Sequence, residues 1–281
     1  MAAYVVNQAD ALVKIPSKLR FSPPTLKTSA GQLAITTAFD NVCSKIKQLE
    51  GFPLEIVAFQ SVSAGMRGTS TIQAQPIDFA AFPVKPTSSG DLTNAIPPFV
   101  PVHDVVIQVE ASNAWPDDYQ AVLYSLAAMY SRLGQLLRAS YVVETTPEWL
   151  DVLVDGFVFR FRIQVDRRLA LLARRNDETA TAEATQLRLQ FEFLPLHAGG
   201  IRAFSQQHTF FTSAVRIAQR WVAAHLLADE VPFEVVECLV AYAFKPTVAI
   251  YSPPASALAG FHRFLELLAK FDFAETYIYF F

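Results

Sequence analysis

Behind Ser29, the apolar residues Leu33, Ile35, Ala38, Phe39, Val42, Ile46 and Leu49 recur at helical spacing until Gly51. With Ser29 as N-cap, this predicts an amphipathic helix lying on a sheet. Leu54 to Val62 reads as a strand, and Ser63 to Pro101, rich in Gly, Pro, Ser and Thr, as a long irregular insertion. A second strand is predicted over Asp104 to Glu110. The turn Asn113-Ala114-Trp115-Pro116-Asp117-Asp118 follows, and then a helix over Tyr119 to Arg138, with apolar positions Val122, Leu126, Met129, Leu133 and Leu137. Trp149 to Val154 and Phe157 to Val165 alternate around Asp155-Gly156, the pattern of a tight hairpin. Leu187 to Phe193 reads as one more strand. Helices interspersed with strands in this order predict an α+β fold with a mixed sheet.

From Leu194 the pattern becomes helical throughout. Ala198 to Gln207, Ser213 to Ala228, Pro232 to Phe244 and Ala255 to Lys270 are predicted helices, the second capped by Thr212 or Ser213 and the third opened by Pro232. The predicted organisation is an N-terminal arm or linker over 1–28, an α+β domain over 29–193 and an all-helical domain over 194–281. The chain closes on Thr276 to Phe281, an apolar strand-like run without a partner, so the native chain is expected to continue.

Composition narrows the classes. At 281 residues and 52% hydrophobic, the chain can bury a substantial core. No apolar run reaches the roughly 18 residues of a membrane span. Asn7, Asp10 and Lys14 interrupt the start where a signal peptide would be continuously apolar, so no membrane association is expected. Two distant cysteines, Cys43 and Cys238, fit buried thiols in a reducing compartment. A net charge of −3 argues against wrapping nucleic acid with the whole surface and leaves room for a local basic face. Charged residues make up only 17%, which points to surface buried against partners.

Metal-dependent nucleotidyl transfer needs two carboxylates in D-x-D spacing on one strand and a third on a neighbour, so that two metal ions are held beside the triphosphate. The strand after the insertion offers Gln108 and Glu110 at those positions, so one carboxylate is replaced by a neutral amide. No catalytic residue and no cofactor is expected. Asp104 or Asp166 would have to replace the missing charge. Asp151, Asp155 and Asp166 are explained by the hairpin and its strand ends. The five histidines lack metal-motif spacing, and Gly65 to Thr69 lacks the Gly-Lys-Ser ending of a phosphate loop. The most pronounced polar feature is Arg160, Arg162, Arg167, Arg168, Arg174 and Arg175. Arg160 and Arg162 share a strand face opposite Phe159, Phe161 and Ile163, and such a strip suits RNA phosphates or an acidic partner, or an ordinary solvated face. On a predicted helix, Arg216, Arg220 and Trp221 stand close together.

A set of short motifs gives these segments a relation. They are Phe52-Pro53-Leu54 with Arg67-Gly68-Thr69; Trp115-Pro116-Asp117; Asp151-Val152-Leu153 with Asp155-Gly156-Phe157-Val158-Phe159-Arg160; Leu194-Pro195; Ala214-Val215-Arg216 with Arg220-Trp221; Ser252-Pro253-Pro254; and Gly260-Phe261 with Arg263-Phe264-Leu265 and Phe271-Asp272. In this order, from about Phe52 to Asp272, the chain resembles the nucleolar RNA-associated protein family, Nrap. The resemblance departs at Gln219, where a basic residue is usual, and at Phe273, where Trp is usual. It implies a much longer protein of two tandem nucleotidyltransferase-like and poly(A)-polymerase-like halves. This chain would carry the degenerate nucleotidyltransferase-like domain of the second half and the start of the poly(A)-polymerase or oligoadenylate-synthetase-like domain. The implied role is non-catalytic scaffolding of the small-subunit processome in the nucleolus. The implied partners are pre-rRNA or small nucleolar RNA, other processome proteins and the remainder of its own chain.

Overall fold

The computed structural model describes residues 30–72, 74–76, 101–110, 115–175, 177–245 and 252–271, which divide into two compact units at Ala203 and Phe204. The expected N-terminal arm, the Ser29 cap, residues 77–100 of the insertion and the run Thr276 to Phe281 lie outside the described residues.

In the first unit the order is α1 (Ala30–Lys47), β1 (Ile56–Ser61), α2 (Ala64–Arg67), β2 (Val102–Val109), α3 (Tyr119–Leu137), β3 (Val142–Thr145), β4 (Leu150–Val154), β5 (Phe157–Gln164), α4 (Asp166–Arg175) and α5 (Glu178–Arg188). A π-helical turn, Leu189–Phe193, leads into α6 (Leu194–Gln207). The sheet runs β1-β2-β5-β4-β3, with β2 and β5 parallel and the other pairs antiparallel, so the fold is α+β with a mixed sheet.

Alternation along β5 decides which side is the core. Phe157, Phe159, Phe161 and Ile163 are buried, while Val158, Arg160, Arg162 and Gln164 face the other way and are half-buried. Leu150, Val152 and Val154 of β4 extend the apolar side. It is covered by Ile35, Ala38, Val42 and Ile46 of α1 and by Val122, Leu126, Leu133 and Leu137 of α3, positions at helical intervals. The Phe39 ring lies 5.9 Å from that of Phe159. The β4–β5 turn holds Asp155 at φ 49° and Gly156 at φ 82°, the left-handed pair that a type I′ hairpin needs.

One buried polar contact closes this core. Pairing of β4 with β5 stops at Leu150 and Phe161, so the Ile163 N–H lies past the β4 ladder and donates instead to the Tyr130 hydroxyl at 2.8 Å. Burial pushes the Tyr130 phenol up to about 12, so it stays protonated at neutral pH.

The strand expected over Leu187 to Phe193 is helical instead, formed by the end of α5 and the π turn. Its apolar residues do alternate, but burial does not. Leu187 and Phe191, four apart, are buried, whereas Leu189 and Phe193 are 40% and 60% exposed, which is helical spacing.

The second unit contains the end of α6 with α7 (Phe211–Ala224), α8 (Phe233–Phe244) and α9 (Ala257–Lys270). Phe204, Phe211 and Phe244 pack edge to face, with centroids 5.0 and 5.7 Å apart along the series. A Cβ on Gly260 would lie 2.5 Å from the Phe244 ring, so the absence of a side chain lets α9 approach α8. The expected Thr212 or Ser213 cap is not used, because α7 begins at Phe211 with Phe210 at the N-cap. The Ser213 hydroxyl accepts from Arg216 Nη2 at 3.0 Å. Pro232 lies at the N-cap of α8, one position before its first turn.

Tyr130→Phe should leave the Ile163 N–H without an acceptor inside the core. The expected loss is about 1–3 kcal/mol in urea unfolding, with retained secondary structure.

Candidate functional site

The parallel register of β2 and β5 places Asp104 opposite Arg160, Val106 opposite Arg162 and Gln108 opposite Gln164 on the polar side of the sheet. The arginines expected to form a strip are therefore side by side in part, and most are engaged. Arg160 Nε and Nη2 donate to the two carboxylate oxygens of Asp151, its direct neighbour on β4, at 2.8 and 2.7 Å. The Arg160 guanidinium stands 4.5 Å from the Trp149 ring centroid and that of Arg162 5.6 Å. Arg162 is also ion-paired with Asp104. At the start of α4, Arg167 pairs with Asp117, and Arg168 lies 3.5 Å from Glu183 and donates to the Tyr119 hydroxyl at 3.2 Å. Arg175 reaches Asp177 at 3.2 Å. Arg174 is exposed at the end of α4 and forms no ion pair among the described residues.

Farther along the same side, Gln108 meets Gln164 and Asp166. Gln108 Nε2 donates to Gln164 Oε1 at 3.4 Å, and Gln164 Nε2 donates to Asp166 Oδ1 at 3.1 Å. With Val57 and Val109 they line a depression at the ends of β2 and β5. Glu110 is not among its lining residues; it lies just past β2, exposed, with its backbone N–H donating to Glu55 O at 2.9 Å. Asp166, expected as a strand end, is the first residue of α4. No spacing in the sequence marks Gln164; its place beside Gln108 follows from β5 running parallel to β2.

This donor set does not fit a catalytic divalent cation. Mg²⁺ and Mn²⁺ at such sites are held by carboxylate oxygens, whereas two of these three side chains are neutral amides committed to hydrogen bonds. Among the described residues no group of three His, Cys, Asp or Glu side chains is placed to hold a metal ion.

The turn after β1 hydrogen-bonds within itself at Ser63, whereas Gln60 Oε1 and Ser61 Oγ at the end of β1 are buried without a hydrogen-bond partner among the described residues. Ser63 caps α2, its hydroxyl accepting from the Gly65 N–H at 3.2 Å and hydrogen-bonding His103 Nδ1 at 2.9 Å. A Cβ on Gly65 would meet His103 at 2.8 Å. Burial drives His103 down to about 4, against a smaller opposing effect of Asp104, so the ring is neutral at physiological pH. In the helical unit, Arg216 is lowered by burial and by neighbouring Arg220, and Trp221 packs 4.2 Å from His225 and 6.3 Å from Phe264, as a partly buried structural residue.

Residues 9–206 match the family model described as Nrap protein nucleotidyltransferase domain 4, and residues 208–279 match Nrap protein PAP/OAS1-like domain 5. The chain belongs to the Nrap family. This Nrap chain is similar to "Nucleolar protein 6" of Xenopus laevis, 30% identical over 257 residues, covering 87% of this chain and 22% of that protein. "Nucleolar protein 6" of Homo sapiens is 31% identical over 265 residues, covering 89% and 23%. "U3 small nucleolar RNA-associated protein 22" of Schizosaccharomyces pombe is 32% identical over 188 residues, covering 60% and 17%. The chain thus spans about a fifth of the length of these relatives.

A histidine held near 4 in the folded chain binds its proton more readily once unfolded. The stability His103 contributes is therefore present in full above its unfolded value of about 6.5, and is lost as pH falls from there toward 4. The expected loss reaches roughly 3 kcal/mol, measured by denaturant unfolding at a series of pH values, and His103→Gln should flatten that slope.

Proposed function

We propose that this Nrap chain is a non-catalytic scaffold part that acts in the nucleolus, within the small-subunit processome, in pre-rRNA processing. Family membership and the printed names of its relatives, nucleolar and U3 small nucleolar RNA-associated, support the setting. The observation that carries the non-catalytic part is the Gln108–Gln164 amide pair where metal-binding carboxylates would be needed. In this reading residues 29–193 serve as a degenerate nucleotidyltransferase-like domain and residues 194–281 as part of a poly(A)-polymerase-like helical one.

Of the six arginines, Arg174 and Arg175 at the exposed end of α4 are the proposed contacts to pre-rRNA or to an acidic partner protein; the Arg175 pair with Asp177 is a local one, exposed at 49% and 42%. Arg160, Arg162, Arg167 and Arg168 would first have to leave Asp151, Asp104, Asp117 and Glu183. An exposed guanidinium contributes to phosphate binding mainly by releasing counterions.

Gradient sedimentation of the tagged protein from nuclear extract tests this reading. Wild type and Gln108→Ala are both expected to travel with large pre-ribosomal RNA particles, and Arg174→Glu with Arg175→Glu to shift toward lighter fractions. Sedimentation of wild type as a free protein would contradict the scaffold assignment. Metal-dependent nucleotide transfer by the purified wild-type chain would contradict the non-catalytic one.

A further inference from the structure

We propose that Gln108, Gln164 and Asp166 are a neutralised metal site, in which an amide-to-amide hydrogen bond has taken over the link that a divalent cation would make between β2 and β5. The inference rests on the non-catalytic reading and deepens it, because it locates the lost function in charge rather than in geometry.

Three observations converge. Gln108 and Gln164 are direct register partners on adjacent parallel strands, so their side chains leave the same side of the sheet in parallel. Their terminal atoms are 3.4 Å apart, and Gln164 is 3.1 Å from the Asp166 carboxylate, so three side chains from two strands and a helix start already meet in one row. Neighbouring oxygens on an octahedral cation with bonds of about 2.1 Å are roughly 3 Å apart, close to that spacing. A Gln side chain is isosteric with Glu. Replacing both amides would therefore present three carboxylates with almost no change in shape.

The amides also change what the site needs. Three carboxylates at such a distance repel one another unless a cation lies between them. Two amides and one carboxylate hold together by donating and accepting, so the ends of β2 and β5 stay joined in the absence of metal. The site has exchanged a metal-dependent link for a metal-independent one, which suits a domain whose role is to keep its shape.

The test is Mn²⁺ titration of wild type and of the Gln108→Glu, Gln164→Glu double variant, by calorimetry and by thermal unfolding with and without the ion. Wild type is expected to show no saturable binding and an unmoved Tm. The double variant is expected to have a lower Tm than wild type without metal, to gain a site at least tenfold tighter than any wild-type background, and to recover Tm on adding Mn²⁺. If the double variant does not fold without metal, refolding in Mn²⁺ should rescue it. A folded double variant with wild-type affinity, or an unfolded one that Mn²⁺ leaves unfolded, would overturn the proposal. So would wild-type Mn²⁺ binding that Gln108→Ala abolishes. Nucleotide transfer by wild type would sink the non-catalytic reading itself, a result distinguishable from a failed gain of metal.

Discussion

Parallel pairing of β2 with β5 governs both sides of the first unit. In that register Val105 and Ile107 stand with Phe159, Phe161 and Ile163 under α1 and α3, while Asp104 and Gln108 stand with Arg160, Arg162 and Gln164 on the opposite side. Because side chains alternate with period two, a slip of one residue would exchange the two sets and bury arginines against helices. The aromatic side therefore fixes the polar side. What the domain can do chemically follows from a packing constraint.

The polar side is largely self-neutralising. The Arg160–Asp151 pair is bidentate, partly shielded and stacked on Trp149, and such a pair is better described as part of the scaffold than as a free cation. The same holds for the cluster of Arg168, Glu183 and Tyr119, which ties the start of α3 to α4 and α5. The neutral His103 closes the turn after β1 by hydrogen-bonding the Ser63 hydroxyl that caps α2. Arg160, Arg162, Arg167 and Arg168, on and beside this side, thus have carboxylate partners in the first unit, while Glu110 stays exposed past β2 and the Ser61 hydroxyl at the end of β1 is buried without a hydrogen-bond partner among the described residues.

Much of this architecture was legible in the sequence, for identifiable reasons. The Asp155-Gly156 hairpin could be read because period-two alternation and a turn needing two left-handed residues occur together. The first and third helices could be read from their apolar spacing. β3, α4 and α5 carry weak sequence signals: the first is a short edge strand with Val142 71% exposed, and the helices are punctuated by charge. Leu187 to Phe193 misled because alternating apolar residues on a helix, half of them exposed, look like a strand until burial is known. For the site, Gln108 was identifiable from D-x-D spacing, but its partners were not. Gln164 lies 56 residues away, and only strand order brings the two together.

On the proposed non-catalytic reading, the amides at Gln108 and Gln164 deprive this domain of the charge that a metal–triphosphate needs. Calorimetric titration of the folded wild-type chain with Mg²⁺ and a nucleoside triphosphate tests it most directly. No metal-dependent binding heat is expected. Stoichiometric binding that requires the metal and disappears in Glu110→Ala would contradict it, and would mean that the carboxylate just past β2 still serves a working site.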